Sequence, residues 1–223
     1  MFKELAPERR YEMKVAAVKS AVLFIGFIIV STLVLSRSFL YDFDHWIKAL
    51  RHHTFKGMSS HAILAIDDLG LRSLTATILI LYALAVGYRF KTWRPLNLSL
   101  LALLLLNGVV GLSKLIFGRA KPRLALDLLH SGGLSYPSGH AANALLSWGL
   151  LSYLIFRYSH RYPFTGVNLN WLVGVITTAV CVVSLIRNTH WFSDLLGGVL
   201  LGGSILVFLI AVDRAWPSQR QPA

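Results

Sequence analysis

Apolar positions along this chain gather in long blocks rather than alternating with polar ones. Six stretches run nearly unbroken through Leu, Ile, Val, Ala and Phe, roughly at 20–36, 73–88, 97–117, 138–157, 170–188 and 194–213. About 20 such residues are needed for a helix to cross hydrocarbon, so each block predicts a membrane-spanning helix. Between the first two lies a connector, 37–72. There Phe43, Trp46, Ile47 and Leu50 recur at helical spacing, which predicts an amphipathic helix lying in the membrane interface. The chain has no internal repeat and no low-complexity tract. The expected architecture is all-α: one domain over 1–223, an integral membrane six-helix bundle with an interfacial amphipathic helix between spans one and two. Residues 1–19 are mixed in charge and Ser36-Arg37-Ser38 follows the first block without a small-residue cleavage site, so that block is expected to stay as an anchor.

Composition agrees with a bilayer and against a soluble domain. Of 223 residues 55% are hydrophobic and 14% charged, with a mean hydropathy of +0.60. The 22 basic and 10 acidic residues leave a net charge of +12. These cations sit between apolar blocks, not on one soluble face, so they point to anionic lipid headgroups and not to nucleic acid. The single cysteine, Cys181, permits no intramolecular disulfide.

Positive charge near the span ends sets an expected orientation. Lys3, Arg9, Arg10, Lys14 and Lys19 precede the first block. Arg89, Lys91 and Arg94 separate the second and third, Arg157 and Arg161 the fourth and fifth, and Arg214 and Arg220 follow the last. With an even number of spans all four groups face the cytoplasm, as do both termini, in a bacterial-type plasma membrane. The opposite side should then be poor in cations. Instead Arg119, Lys121 and Arg123 crowd the loop between spans three and four, and the connector carries Arg37, Lys48, Arg51, Lys56 and Arg72. An anionic ligand on the outer side would account for the loop cluster.

Three stretches fall on that side. Lys114 stands at the outer end of span three, ahead of Gly118, Lys121 and Pro122. It reads either as a lysine snorkelling to headgroups or as a cation for a ligand. Pro137-Ser138-Gly139-His140 opens the fourth block. It reads either as a helix start beside a chance histidine or as a phosphate seat. In the second reading the first-turn N–H groups face the ligand, glycine admits it closely and His140 moves a proton. Ser184 through Asp194 joins spans five and six. His190 and Asp194, four apart, meet if that region is helical, and the carboxylate then orients the imidazole; the plainer reading is an interfacial histidine and a capping aspartate. Two histidines, one carboxylate and several cations on one side favour the functional readings together. There is one carboxylate near the histidines and no spaced ligand set for a metal, so phosphoryl transfer aided by side chains and backbone donors is expected, without metal or cofactor.

These residues resemble the type 2 phosphatidic acid phosphatase superfamily, which also holds vanadium haloperoxidases and glucose-6-phosphatase. Its pattern is K-x6-R-P, then P-S-G-H, then S-R-x5-H-x3-D. Lys114 and Pro122 match the first part, Pro137-Ser138-Gly139-His140 the second, and His190 and Asp194 the third. The chain departs at two places: Lys121 replaces the first arginine, and Ser184 stands where the second would be, with Arg187 three residues on. Lysine keeps the charge but loses the bidentate fork, which Arg119 or Arg123 would have to supply. Arg187, roughly a turn from Ser184, would reach the same phosphate, so Arg187→Ala should abolish turnover and Ser184→Ala should matter little.

The resemblance implies a metal-independent lipid phosphatase. His190 would attack phosphorus and form a phosphohistidine, Asp194 would orient it, and His140 would protonate the departing oxygen and then activate water. Lys114, Lys121, Ser138, Gly139, Arg187, Arg119 and Arg123 would hold the phosphoryl oxygens. Expected substrates are phosphomonoesters or pyrophosphates of membrane lipids: prenyl phosphates, phosphatidic acid, phosphatidylglycerol phosphate or lipid A. A phosphotransferase with the same intermediate, or a lipid-binding or transport protein with a decayed site, are the rivals; a haloperoxidase fits less well, since those relatives are soluble. His52, His53 and His61 read as interfacial, although His61 and the Asp67-Asp68 pair are within possible reach of substrate. Gly198 and Gly202 read as a close helix-packing pair, and Trp46, Trp148, Trp171 and Trp191 as interfacial or packing residues.

Overall fold

The computed structural model describes residues 7–50, 59–122, 129–158 and 169–215. Arg123, His52 and His53 lie outside them. Among the described residues eight helices follow in order: α1 (Pro7–Leu35), α2 (Phe39–Leu50), α3 (Ser59–Asp68), α4 (Arg72–Phe90), α5 (Arg94–Phe117), α6 (Gly139–Tyr158), α7 (Leu169–Ile186) and α8 (Phe192–Ala215). No strand occurs among the described residues.

Local chemistry places the helix ends. Arg37 takes a left-handed φ of 47° after α1, and the Ser38 hydroxyl accepts from the Leu40 N–H at 3.3 Å to start α2. Pro95 sits in the first turn of α5, where a missing N–H costs nothing. At its far end Gly118, φ 53°, donates its N–H to the Lys114 carbonyl at 2.9 Å and closes the helix.

Five helices are long and apolar enough to cross a membrane among the described residues: Arg10–Leu35 within α1, then α4, α5, α7 and α8. The chain is an integral membrane protein. Large apolar side chains such as Leu104, Leu115 and Phe156 point outward, the reverse of a soluble surface. The sixth predicted span, α6, has 20 residues but buries Asn143, Ser147 and Ser152. It packs against α4, α5, α7 and α8. A helix walled in by protein needs no uniformly apolar surface, so its hydropathy falls below that of its neighbours. The connector also differs from expectation in holding α3 besides α2. On α2 the usual pattern is turned inside out: Asp44 is buried, while Phe39, Phe43, Trp46 and Leu50 are exposed.

α8 meets the start of α6 at backbone contact. A Cβ on Gly198 would lie 2.4 Å from the Ser138 carbonyl oxygen, and one on Gly202 would lie 2.7 Å from that of Ala142. Gly198→Ala should therefore lower the unfolding temperature in detergent, by about 1–3 kcal/mol of overpacking. Gly174→Ala, where a Cβ has open space, should be neutral or slightly stabilising in the same measurement.

The end of the bundle holding Arg94, Arg157 and Asp213 is closed by an ionic node. Arg94 Nε lies 2.5 Å from Asp213 Oδ1. Arg157 pairs with the same carboxylate, which also accepts from the Tyr153 hydroxyl at 2.6 Å. One aspartate thus ties the beginning of α5 to the ends of α6 and α8, and leaves the other end of the bundle to the candidate chemistry.

Candidate active site

At that other end the C-termini of α5 and α7 meet the N-termini of α4, α6 and α8. Two tight connections shape it. The Tyr136–Pro137 peptide is cis. Tyr136 is wholly buried, its hydroxyl 2.8 Å from Ser31 Oγ on α1 and its ring 4.6 Å from that of Phe117. Burial pushes its phenol well above the ordinary value, so it stays neutral. The chain then turns into α6: the Ser138 N–H donates to the Asp194 carbonyl at 2.8 Å, and Ser138 Oγ accepts from the Ala141 N–H at 3.4 Å. Ser138 is fully buried and acts as the cap of α6.

The second connection leaves α7 through Asn188, φ 57°, and enters α8 at Phe192. His190 precedes the helix. Asp194, in its first turn, reaches back to accept from the Trp191 N–H at 3.0 Å, one half of a capping box, which also brings its Oδ2 within 3.4 Å of His190 Nδ1. The four-residue spacing therefore works through a cap rather than through a continuous helix.

Asp194 has no exposed surface and collects further donors. Ser135 Oγ donates to its Oδ2, and Arg119 Nη1 to its Oδ1 at 2.9 Å. Arg119 is itself 2% exposed. Its Nη1 also reaches Ser193 Oγ at 2.7 Å, and its Nη2 reaches Asp44 Oδ2 at 2.8 Å. Asp44 closes the circuit by accepting from the Ser193 N–H at 2.9 Å. Burial pushes the Asp44 carboxyl up from its ordinary value, against the pull of Arg119 and Ser193. The guanidinium stacks over the Trp191 ring, 5.2 Å from its centre. Arg119, expected on phosphate, instead clamps the carboxylate behind His190: its fork spans two aspartates and a serine in the protein interior.

His140 opens α6 with its side chain 34% exposed. Its ring centre lies 6.4 Å from that of His190. Asp67, on α3, stands 4.0 Å from His140 Nε2 and pairs with Arg187 Nη1. Ser184 Oγ donates to Asp67 Oδ1 at 3.3 Å. Lys114 Nζ donates to the Leu134 carbonyl at 2.8 Å. Lys121 is exposed and close enough to act electrostatically on both Lys114 and His140. At Gly139 a Cβ would meet only Val110 Cγ1 at 3.9 Å, which leaves the mouth of α6 open.

The structure thus brings together His140, His190, Asp194, Lys114, Lys121, Ser138, Gly139 and Arg187, and places Arg119 behind the site. Sequence reasoning missed Asp44 altogether. Its one signal was a second aspartate, beside Asp42, on a connector helix rich in apolar residues. Asp67 was noticed only as a neighbour of substrate; of the pair, Asp67 is buried while Asp68 and His61 are exposed. Trp191 is buried and donates to the Ala120 carbonyl at 3.0 Å, and Trp148 donates to the Leu69 carbonyl at 2.8 Å, so both pack. Trp46 and Trp171 face outward.

Comparison with known proteins gives this arrangement a family. Phosphatidylglycerophosphatase B of Bacillus subtilis (strain 168) is 28% identical over 151 residues, 65% of this chain and 70% of that protein. Lipid A 1-phosphatase of Porphyromonas gingivalis is 32% identical over 120 residues, 52% of this chain but only 24% of that longer protein. The crystal structure of the first transmembrane PAP2 type phosphatidylglycerolphosphate phosphatase from Bacillus subtilis shares the fold with a TM-score of 0.73. It is 22% identical, and the match covers 91% of this chain and 99% of that one. The PAP2 superfamily model matches residues 95–217, from the first turn of α5 past the end of α8, and, more than half the chain being matched, the protein belongs to the PAP2 superfamily.

Proposed function

We propose that this protein is a membrane lipid phosphate phosphatase working through a phosphohistidine without a metal. The observation that carries the reading is the pair of imidazoles facing each other at 6.4 Å, one of them backed by a buried carboxylate at 3.4 Å. Nδ1 of His190 is engaged by Asp194, which leaves Nε2 to attack phosphorus. As the N–P bond forms, the P–O bond to the lipid breaks, and the departing oxygen takes the proton from His140. The same imidazole, now neutral, removes a proton from water. The resulting hydroxide attacks phosphorus, the N–P bond breaks, and inorganic phosphate leaves. Lys114, Lys121 and Arg187, with the first-turn N–H groups at Ser138-Gly139, stabilise charge on the phosphoryl oxygens.

The substrate is a phosphomonoester or diphosphate of a prenyl, phosphatidic acid, phosphatidylglycerol phosphate or lipid A class lipid. Two named relatives supply the last two possibilities. α6 completes a six-span, single-domain bundle with both termini cytoplasmic and the site at the outer surface. The outward-facing aromatics of α2 rest in the interface, where an anchored lipid can offer its phosphate laterally.

The test is phosphate release by the purified protein from a panel of these four lipid classes, in mixed micelles and with chelator present. Release from at least one class, blocked by vanadate, is expected. A panel without turnover, or turnover lost with the chelator, would overturn the reading.

A further inference from the structure

We infer that Asp67 is a positioning residue that aims Arg187 into the phosphate site and ties it, with His140, to α3. The inference rests on the functional reading above. The PAP2 match begins at residue 95, so α3 lies outside the matched segment.

The delivery of Asp67 is built into the packing. The turn after α3 is pressed onto the first turn of α6: a Cβ on Gly70 would lie 2.9 Å from the His140 carbonyl oxygen and 3.1 Å from its Cβ. Trp148, two turns further along α6, holds the neighbouring Leu69 carbonyl at 2.8 Å. These contacts fix the turn that follows α3 against α6 without any help from the carboxylate, while α3 itself packs on α7. Asp67 is 7% exposed and sits where α3 ends. Its two oxygens then accept from two donors at the end of α7, Arg187 and Ser184, while His140 Nε2 lies 4.0 Å from Oδ2.

A carboxylate beside a phosphate site repels the ligand unless it contributes something in return. Here it restrains a long, rotamer-rich arginine that starts beyond the last turn of α7. A small residue, Ser184, stands one turn back and leaves room for the carboxylate. Held this way, the guanidinium can contact a phosphoryl oxygen without searching for the geometry during turnover. Without Asp67 the arginine keeps its charge and can still attract phosphate, but it loses its aim. Ground-state binding is then preserved while stabilisation of the transition state falls.

The experiment uses the full chain in mixed micelles, with the best lipid of the panel as substrate and turnover expressed per vanadate-binding site. Asp67→Asn is expected to lower kcat about 100-fold, within the range that a misplaced catalytic contact costs, with KM equal to or below that of the wild type. Asp67→Glu is expected to recover part of the loss. In a cycle on Arg187→Lys, which keeps the charge and a residual turnover, the effect of Asp67→Asn should shrink to about threefold or less, because the fork it aims is gone. A kcat for Asp67→Asn within twofold of wild type overturns the inference, as does an undiminished loss on the Arg187→Lys background. A wild-type protein inert on the whole panel overturns the functional reading, and this inference with it. A His190-dependent enzyme indifferent to Asp67 overturns the inference alone.

Discussion

Alanine at position 190 is expected to abolish phosphate release, by roughly 10⁴-fold or more, the scale on which loss of a covalent nucleophile is felt in other hydrolases. The geometry explains why no neighbour can substitute. His140 lies across the site, 6.4 Å away between ring centres. Asp194 is fully buried and occupied by Arg119, Ser135 and the Trp191 N–H, so it cannot move forward to attack. Rapid quench of turnover in alkaline detergent, where a phosphohistidine survives, on a lipid carrying labelled phosphate separates the roles. Wild type should show a transient acid-labile label on the protein. His140→Ala should slow both the appearance and the removal of the label, since the departing oxygen then lacks its acid and the attacking water its base. His190→Ala should show none. Label retained by His190→Ala would place the nucleophile elsewhere, and a lipid-binding protein without chemistry would give no label in any variant.

The second large effect is expected at Arg119. This side chain joins Asp44 of α2 to Asp194 of α8 across the protein interior at 2.8 and 2.9 Å. A buried ionic triad of this kind adds little net stability over an apolar replacement, but removing its one cation strands two carboxylates. Arg119→Ala should therefore cost about 3–5 kcal/mol, a large share of the margin of a folded protein. It should also release the carboxylate that orients His190. Thermal unfolding in detergent reads the first effect and residual kcat the second. Arg119→Lys keeps the charge and one donor but not the fork, so it should fall between wild type and alanine. Combining Asp44→Asn with Arg119→Gln removes one stranded charge and should unfold at a higher temperature than Arg119→Gln alone. An Arg119→Ala protein as stable as wild type would mean that the triad carries no structural weight.

Much of this was written in near-neighbour spacing. Block lengths of apolar residues announce the spans, and Pro137 with Ser138 announces where α6 begins. The four-residue step from His190 to Asp194 announces their meeting, although the cap that achieves it differs from the continuous helix one would first assume. α6 was legible as a helix but not as the inner one, because hydropathy reports what a helix faces only when that is lipid.

Taken alone, the chain's sequence determined that it is a helical membrane protein and that His190 meets Asp194, since these depend on local periodicity and short spacing, whereas the placing of His140 on the same side followed from the charge pattern between spans and the family resemblance. Only the tertiary structure decided what the arginines do. Arg119 was drawn inward and Arg187 held at the rim by aspartates far away in sequence, with Asp67 lying 120 residues from Arg187 and Asp44 and Asp194 each lying 75 residues from Arg119. An arginine has the same long, mobile, charged side chain in either role, and its task is set by whichever anion the packing of distant helices brings within reach.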